Sequence, residues 1–168
     1  MSIRFLPVLY LLLLSQALLA QHSAPAKMDG VPETCPVTEP YNASLFVPPA
    51  PYPRKAPLGA FWFGTDKLWT ILRMDATWPR SEKTFWWRQD WSGYKSGVPE
   101  SAATKLAVTA RRLDISAAPP RMSKGLGGYK EEWKSFLVGG IDFPTFGCWE
   151  ISAHYEDDEL NFVVWVAN

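Results

Sequence analysis

The sequence predicts an all-β sandwich of about six to eight strands, preceded by an extended proline-rich N-terminal tail. Three observations predict it. Short apolar and aromatic runs of four to nine residues recur between turn signals, with no heptads and no internal repeats. The last two runs, CWEISAHY (148–155) and LNFVVWV (160–166), alternate apolar with polar residues around an acidic turn, the pattern of a closing β-hairpin. Nine prolines lie between positions 25 and 57, where they block a regular ladder and favour extended chain.

Each element follows from its own pattern. AFWF (60–63) and KLWTILR (67–73) read as two strands joined by a Gly64-Thr65-Asp66 turn. KTFWWRQDW (83–91) reads as a third strand. Alternation places Phe85, Trp87, Gln89 and Trp91 on one side of it, and Thr84, Trp86, Arg88 and Asp90 on the other. Neighbouring Trp86 and Trp87 cannot both enter one core, so one of them needs another cover. KLAVTARRLD (105–114) is a strand with Leu106, Val108 and Ala110 on one face. Residues 123–129 contain three glycines and read as a mobile loop. EEWKSFLV (131–138), between two glycine pairs, fits a short strand better than a two-turn helix. In the hairpin, Trp149, Ile151, Ala153 and Tyr155 form the core face, and Cys148, Glu150, Ser152 and His154 the outer one. Leu160, Phe162, Val164 and Val166 form the matching core face of the last strand.

The N-terminus has the grammar of a secretory signal. A basic start with Arg4 precedes an apolar run (5–19), and Ala20 offers a cleavage point before Gln21. The expected organisation is a signal peptide at 1–20, a tail at 21–57, disordered to about Gly30, and a sandwich domain at 58–168. Export is therefore expected, to a secreted or periplasmic location, with no membrane span after cleavage. The 17 basic and 17 acidic residues balance, so nothing concentrates positive charge for a nucleic-acid partner. Two cysteines in an exported chain predict one disulfide, Cys35–Cys148. Because Cys148 points away from the core, the bridge would pin the tail across the outer face of the closing sheet, over Val163 and Trp165.

The catalytic classes leave few candidates. The histidines are His22, in the tail, and His154, on the wet side of the hairpin. No G-x-S-x-G elbow is present. Cys148 and His154 share a face, but six residues along a strand separate them by about 20 Å, too far for proton transfer. Glu150 and Asp90 are carboxylates that nothing pairs as a glycosidase site. The turn acids Glu156, Asp157, Asp158 and Glu159 lack the glycine spacing of a calcium loop, and no zinc spacing occurs. The chain is thus expected to be non-catalytic, with no cofactor and no metal, and to work by binding a protein or glycan partner. Nine tryptophans raise the alternative of a carbohydrate- or small-ligand-binding module, with Trp78, Trp86 and Trp91 as candidate contacts. Hydrolysis at an unrecognised site is the remaining alternative. Asn42-Ala43-Ser44 is a glycosylation sequon, used only in a eukaryotic secretory pathway.

CPVTEP (35–40), TDKLW (65–69), KTFWWR (83–88), LAVTARRLD (106–114), FPTFGCWEIS (143–152) and LNFVVWV (160–166) together resemble a group of small exported bacterial proteins of unknown function. The resemblance spans most of the chain after the signal. It implies export and an immunoglobulin-like sandwich with an FPTxGCWE closing hairpin, and it carries no activity. The chain departs from the immunoglobulin pattern because its cysteine pair would join tail to strand instead of crossing the core.

Overall fold

The computed structural model describes residues 30–40 and 46–168. The expected signal peptide, His22 and the Asn42 sequon lie outside the described residues. Those residues form a β-sandwich of two sheets. The larger sheet has six strands: β1 (Phe61–Gly64), β2 (Trp69–Leu72), β4 (Ser81–Trp87), β6 (Arg121–Met122), β7 (Leu126–Lys130) and β8 (Lys134–Asp142). They are ordered β1-β2-β4-β8, with β6 and β7 both pairing β8. The smaller sheet is β3-β10-β9-β5, made of β3 (Thr77–Trp78), β5 (Leu106–Arg112), β9 (Gly147–Tyr155) and β10 (Asp158–Val166). A single helical turn, α1 (Glu100–Ala103), leads into β5.

Alternation sets the core. Trp149, Ile151, Ala153 and Tyr155 on β9 and Leu160, Phe162, Val164 and Val166 on β10 are all buried between the sheets. They meet Leu72, Trp86, Leu137 and Ile141 of the larger sheet and Leu68 just before β2. The β9–β10 ladder runs from Asp158↔Tyr155 to Val166↔Gly147, so one register carries every core residue of the hairpin.

The tail packs on part of each outer face. Cys35 and Cys148 are joined by a disulfide, with Cα atoms 5.6 Å apart. Around it Val31 and Val37 pack with Leu113, Val163 and Trp165 on the outer face of the smaller sheet. Thr38 completes β10 on its open side: its N–H donates to the Val163 carbonyl (2.8 Å), and its Oγ1 accepts from the Val163 N–H (3.0 Å). The later tail covers the larger sheet. Phe46, Tyr52 and Ala56 pack on Trp62, Trp69, Trp87 and Phe136. The Tyr52 hydroxyl donates to the Arg88 carbonyl (2.5 Å), and the Trp62 indole N–H to the Pro53 carbonyl (3.0 Å). Trp86 therefore enters the central core, while Trp87 lies under this second layer.

Several expectations need correction. The glycine-rich segment 123–129 is not a mobile loop: most of it is strand β7, paired with β8 from Leu126↔Val138 to Lys130↔Lys134. Its glycines serve close approach. A Cβ on Gly127 would meet the Val98 carbonyl oxygen at 2.0 Å, and one on Gly128 the Phe136 ring at 2.5 Å. The run 131–138 is a strand only from Lys134: a turn precedes β8, which continues through Gly139-Gly140, where β4 pairs it, to Ile141 and Asp142, where β6 does. Trp91 does not share a side with Phe85 and Trp87. β4 ends at Trp87, and the 3-10 turn at Gln89–Gly93 swings Trp91 into the central core against Tyr155. The two-residue strands β3 and β6 are too short to show alternation in the sequence; β3 runs parallel to the end of β10, and β6 antiparallel to the end of β8.

Two stability outcomes follow. Replacing both cysteines by serine is expected to cost about 2–5 kcal/mol in urea unfolding and to shift Trp165 emission to the red as its cover loosens. Gly127→Ala is expected to cost about 2 kcal/mol or more through its backbone clash, whereas Gly93→Ala, with nothing within 4 Å of the new Cβ, should stay within about 0.5 kcal/mol.

Candidate functional site

One concavity arises where a ladder stops. β2 pairs β4 at Trp69↔Trp87 and Thr70↔Trp86 and no further. Beyond that point Ile71–Asp75 and Glu82–Phe85 face each other across a cleft of about 360 Å³. Side chains take over the backbone groups that the ladder leaves there. The Thr70 hydroxyl donates to the Phe85 carbonyl at 2.7 Å. The Lys83 N–H donates to the Glu82 carboxylate at 3.0 Å. A strand seam left open inside a sheet has to be satisfied in this way.

The cleft is apolar below and charged at its sides. Ile71, Leu72, Trp78 and Phe85 line its interior. Arg73 makes a two-pronged contact with Asp75 (3.3 Å for each nitrogen) and lies 3.8 Å from Glu82. Lys83 completes the charged lining. Leu58 and Met74, also in the lining, are 68% and 47% exposed, so two large apolar side chains stand together at the cleft. Leu58 is held at φ 59°, a left-handed conformation that costs about 1 kcal/mol or more for a residue with a Cβ. Asp75 is held below its usual range. Burial opposes that shift, and the hydrogen bonds from Arg73 and Thr77 outweigh it.

The predicted contacts fall elsewhere. Trp78, Trp86 and Trp91 are 4%, 1% and 1% exposed, so none offers a docking surface. Trp78 packs on Phe143 and Phe162 and reaches the cleft only as part of its interior. Trp86 donates its indole N–H to Thr84 Oγ1 inside the core. The Trp91 N–H has no partner among the described residues. Leaving it bare costs about 1–3 kcal/mol, less than the roughly 4–6 kcal/mol gained by burying about 150–250 Å² of aromatic surface. None of the nine tryptophans is exposed: seven are buried, and Trp133 and Trp165 are half-buried. A flat tryptophan platform for sugars is therefore not formed.

The other candidates are dispersed by pairing. His154 is exposed, 3.8 Å from Glu159. Glu150 accepts from Arg111 at 2.6 Å, and Asp90 from Arg88 at 3.1 Å. Among the turn acids, Glu156 pairs with Lys105, and Asp158 with Arg88 at 2.5 Å. Among the described residues no three His, Cys, Asp or Glu side chains cluster as a metal site. Arg88 also sits 4.3 Å above the Tyr155 ring, tying the end of β4 to the tip of the β9–β10 hairpin. The cleft itself was missed in the sequence. Arg73 reads as the end of a strand, Met74 as the residue after it, and Glu82 as the residue before the next.

No family model matches the chain, and no curated protein matches it. Among solved structures it is similar to an X-ray structure described as a "Putative Lipoprotein from Bacillus anthracis", with a TM-score of 0.37 and 14% identity over 76% of this chain and 89% of that chain.

Glu82 supplies a test of the cleft's electrostatics. Burial raises its pKa, and the Lys83 N–H and Arg73 offset this only in part. A carboxyl whose folded-state pKa lies above its unfolded value weighs against folding when ionised, and the burden lifts as pH falls through its titration. Glu82→Gln keeps an acceptor for the Lys83 N–H. It is expected to melt above the wild type at pH 7, with the gap closing as pH falls through the carboxylate range. A gap independent of pH would remove Glu82 as its cause.

Proposed function

We propose that the protein is an exported, non-catalytic, envelope-associated interaction domain that receives a protein partner at the β2/β4 cleft. The observation that carries this reading is the cleft, with exposed Leu58 and Met74 beside an apolar interior. Apolar side chains grouped around a concavity give a partner an anchor to bury. Its charged groups, Arg73, Asp75 and Glu82, lie within reach of one another. That arrangement suits selecting a partner more than activating a nucleophile.

The export part rests on three supports. The N-terminal sequence reads as a secretory signal. A buried disulfide ties the tail to the domain, and such bridges persist in oxidising compartments. The FPTFGCWE hairpin resembles that of small exported bacterial proteins.

Two measurements test the proposal. In fractionated bacterial cells expressing the full chain, Cys35 and Cys148 are expected to resist alkylation and the chain to leave the cytoplasm; free thiols on cytoplasmic chain would count against export. A photo-crosslinking residue at Met74 is expected to capture one partner that the same residue at exposed Ala107 does not. Capture is expected to weaken at least about ten-fold with Leu58→Glu. Equal labelling from both positions would overturn the cleft as the contact site.

A further inference from the structure

The sandwich is left unfilled at one side. On β5 the core-facing stripe Leu106, Val108 and Ala110 is only half-buried, while the core-facing residues of neighbouring β9 are 0–3% exposed. The cause lies across the interior on β8. Its core-facing row runs Leu137, Gly139, Ile141, so the middle position has no side chain. A Cβ there would press on Thr84 Oγ1 at 3.3 Å. What remains is a slot of about 390 Å³ between the two sheets.

The walls of the slot are chemically simple. Trp86, Leu106, Val108, Met122 and Ile141 supply apolar surface from both sheets. The buried polar pair in the wall satisfies itself, since the Trp86 indole N–H donates to Thr84 Oγ1 at 3.0 Å. The lining carries one charged side chain, Lys124, beside Thr104 and Ser123. Its partner is Glu100 of α1, and both groups are largely exposed. An exposed pair of this kind is weak, so an incoming carboxylate can replace Glu100 at little cost. A volume in the range of small-molecule sites, apolar walls and one cationic group define the ligand's chemistry.

We propose that this slot binds a single aliphatic chain bearing a terminal carboxylate, with the chain between the sheets and the carboxylate at Lys124. The site is separate from the β2/β4 cleft and does not depend on the role proposed for it. The slot lies between the core faces of β4, β8 and β5; the cleft opens along the β2 side of β4.

The test is calorimetric titration of the full, disulfide-bonded chain with dodecanoate below its micelle-forming range, with dodecanol and acetate as comparison ligands. Dodecanoate is expected to saturate one site and acetate to give no binding. Lys124→Ala is expected to weaken dodecanoate about ten-fold while leaving dodecanol unchanged. Val108→Phe, which fills the slot from β5, is expected to abolish binding of both long chains. Thr104→Trp, an exposed position at the slot, is expected to do the same with the melting temperature unchanged, which separates occlusion from misfolding. Absence of saturable dodecanoate binding, or wild-type binding by Thr104→Trp and Val108→Phe, would overturn the site. Equal loss of dodecanoate and dodecanol binding in Lys124→Ala would overturn the carboxylate assignment.

Discussion

Two adjacent tryptophans impose the constraint on which the rest of the structure depends. Trp86 and Trp87 follow each other in β4, so the pleat sends them to opposite faces of the larger sheet. Both are almost fully buried. A sheet with large aromatics on both faces needs two covers. The smaller sheet supplies one. Tyr52, Ala56 and Phe46 of the tail supply the other, over a cluster that also holds Trp62, Trp69 and Phe136. The proline-rich segment is thus a structural layer. Its extended chain spends few of its own backbone groups on ladders and offers its carbonyls to side chains of the domain, as Pro53 does to Trp62 and Ala50 to Gln89.

The same logic explains where the disulfide falls. The outer face of the smaller sheet carries Val163 and Trp165, apolar side chains on which Val31 and Val37 of the tail pack. The bridge at Cys148 and the two hydrogen bonds between Thr38 and Val163 fix the strap at that point. Closing a loop of over a hundred residues is entropically the most favourable use of one cross-link. Arg88 plays a parallel part between the sheets. Its carbonyl takes the Tyr52 hydroxyl, while its guanidinium reaches Asp158 and the Tyr155 ring.

Both concavities come from interrupted regularity. The seam cleft exists because β2 and β4 part after two pairs, and Thr70 and Glu82 then satisfy the backbone groups left over. The inter-sheet slot exists because β8 carries glycine where the core row needs bulk. One opening has charges of both signs and exposed apolar neighbours; the other is an apolar slot with a single cation. Surfaces so different match the two different ligand classes proposed for them.

What the sequence by itself determined was whatever repeats with a period of two. The core faces of β5, β9 and β10 were legible residue by residue, as were the β1–β2 hairpin and the split of Trp86 from Trp87, because alternation is a property of neighbouring residues. The glycines of β7 misled, since glycine in a strand that meets another backbone looks the same in sequence as glycine in a loop. Trp91 misled because a 3-10 turn broke the period just before it. Tertiary structure alone decided where β2 leaves β4, which side chains occupy the gap, and that Gly139 faces half-covered Val108 and Leu106 across the interior. Those facts depend on which segments, distant in the chain, lie beside one another, and no local pattern records the distance between two strands that fail to pair.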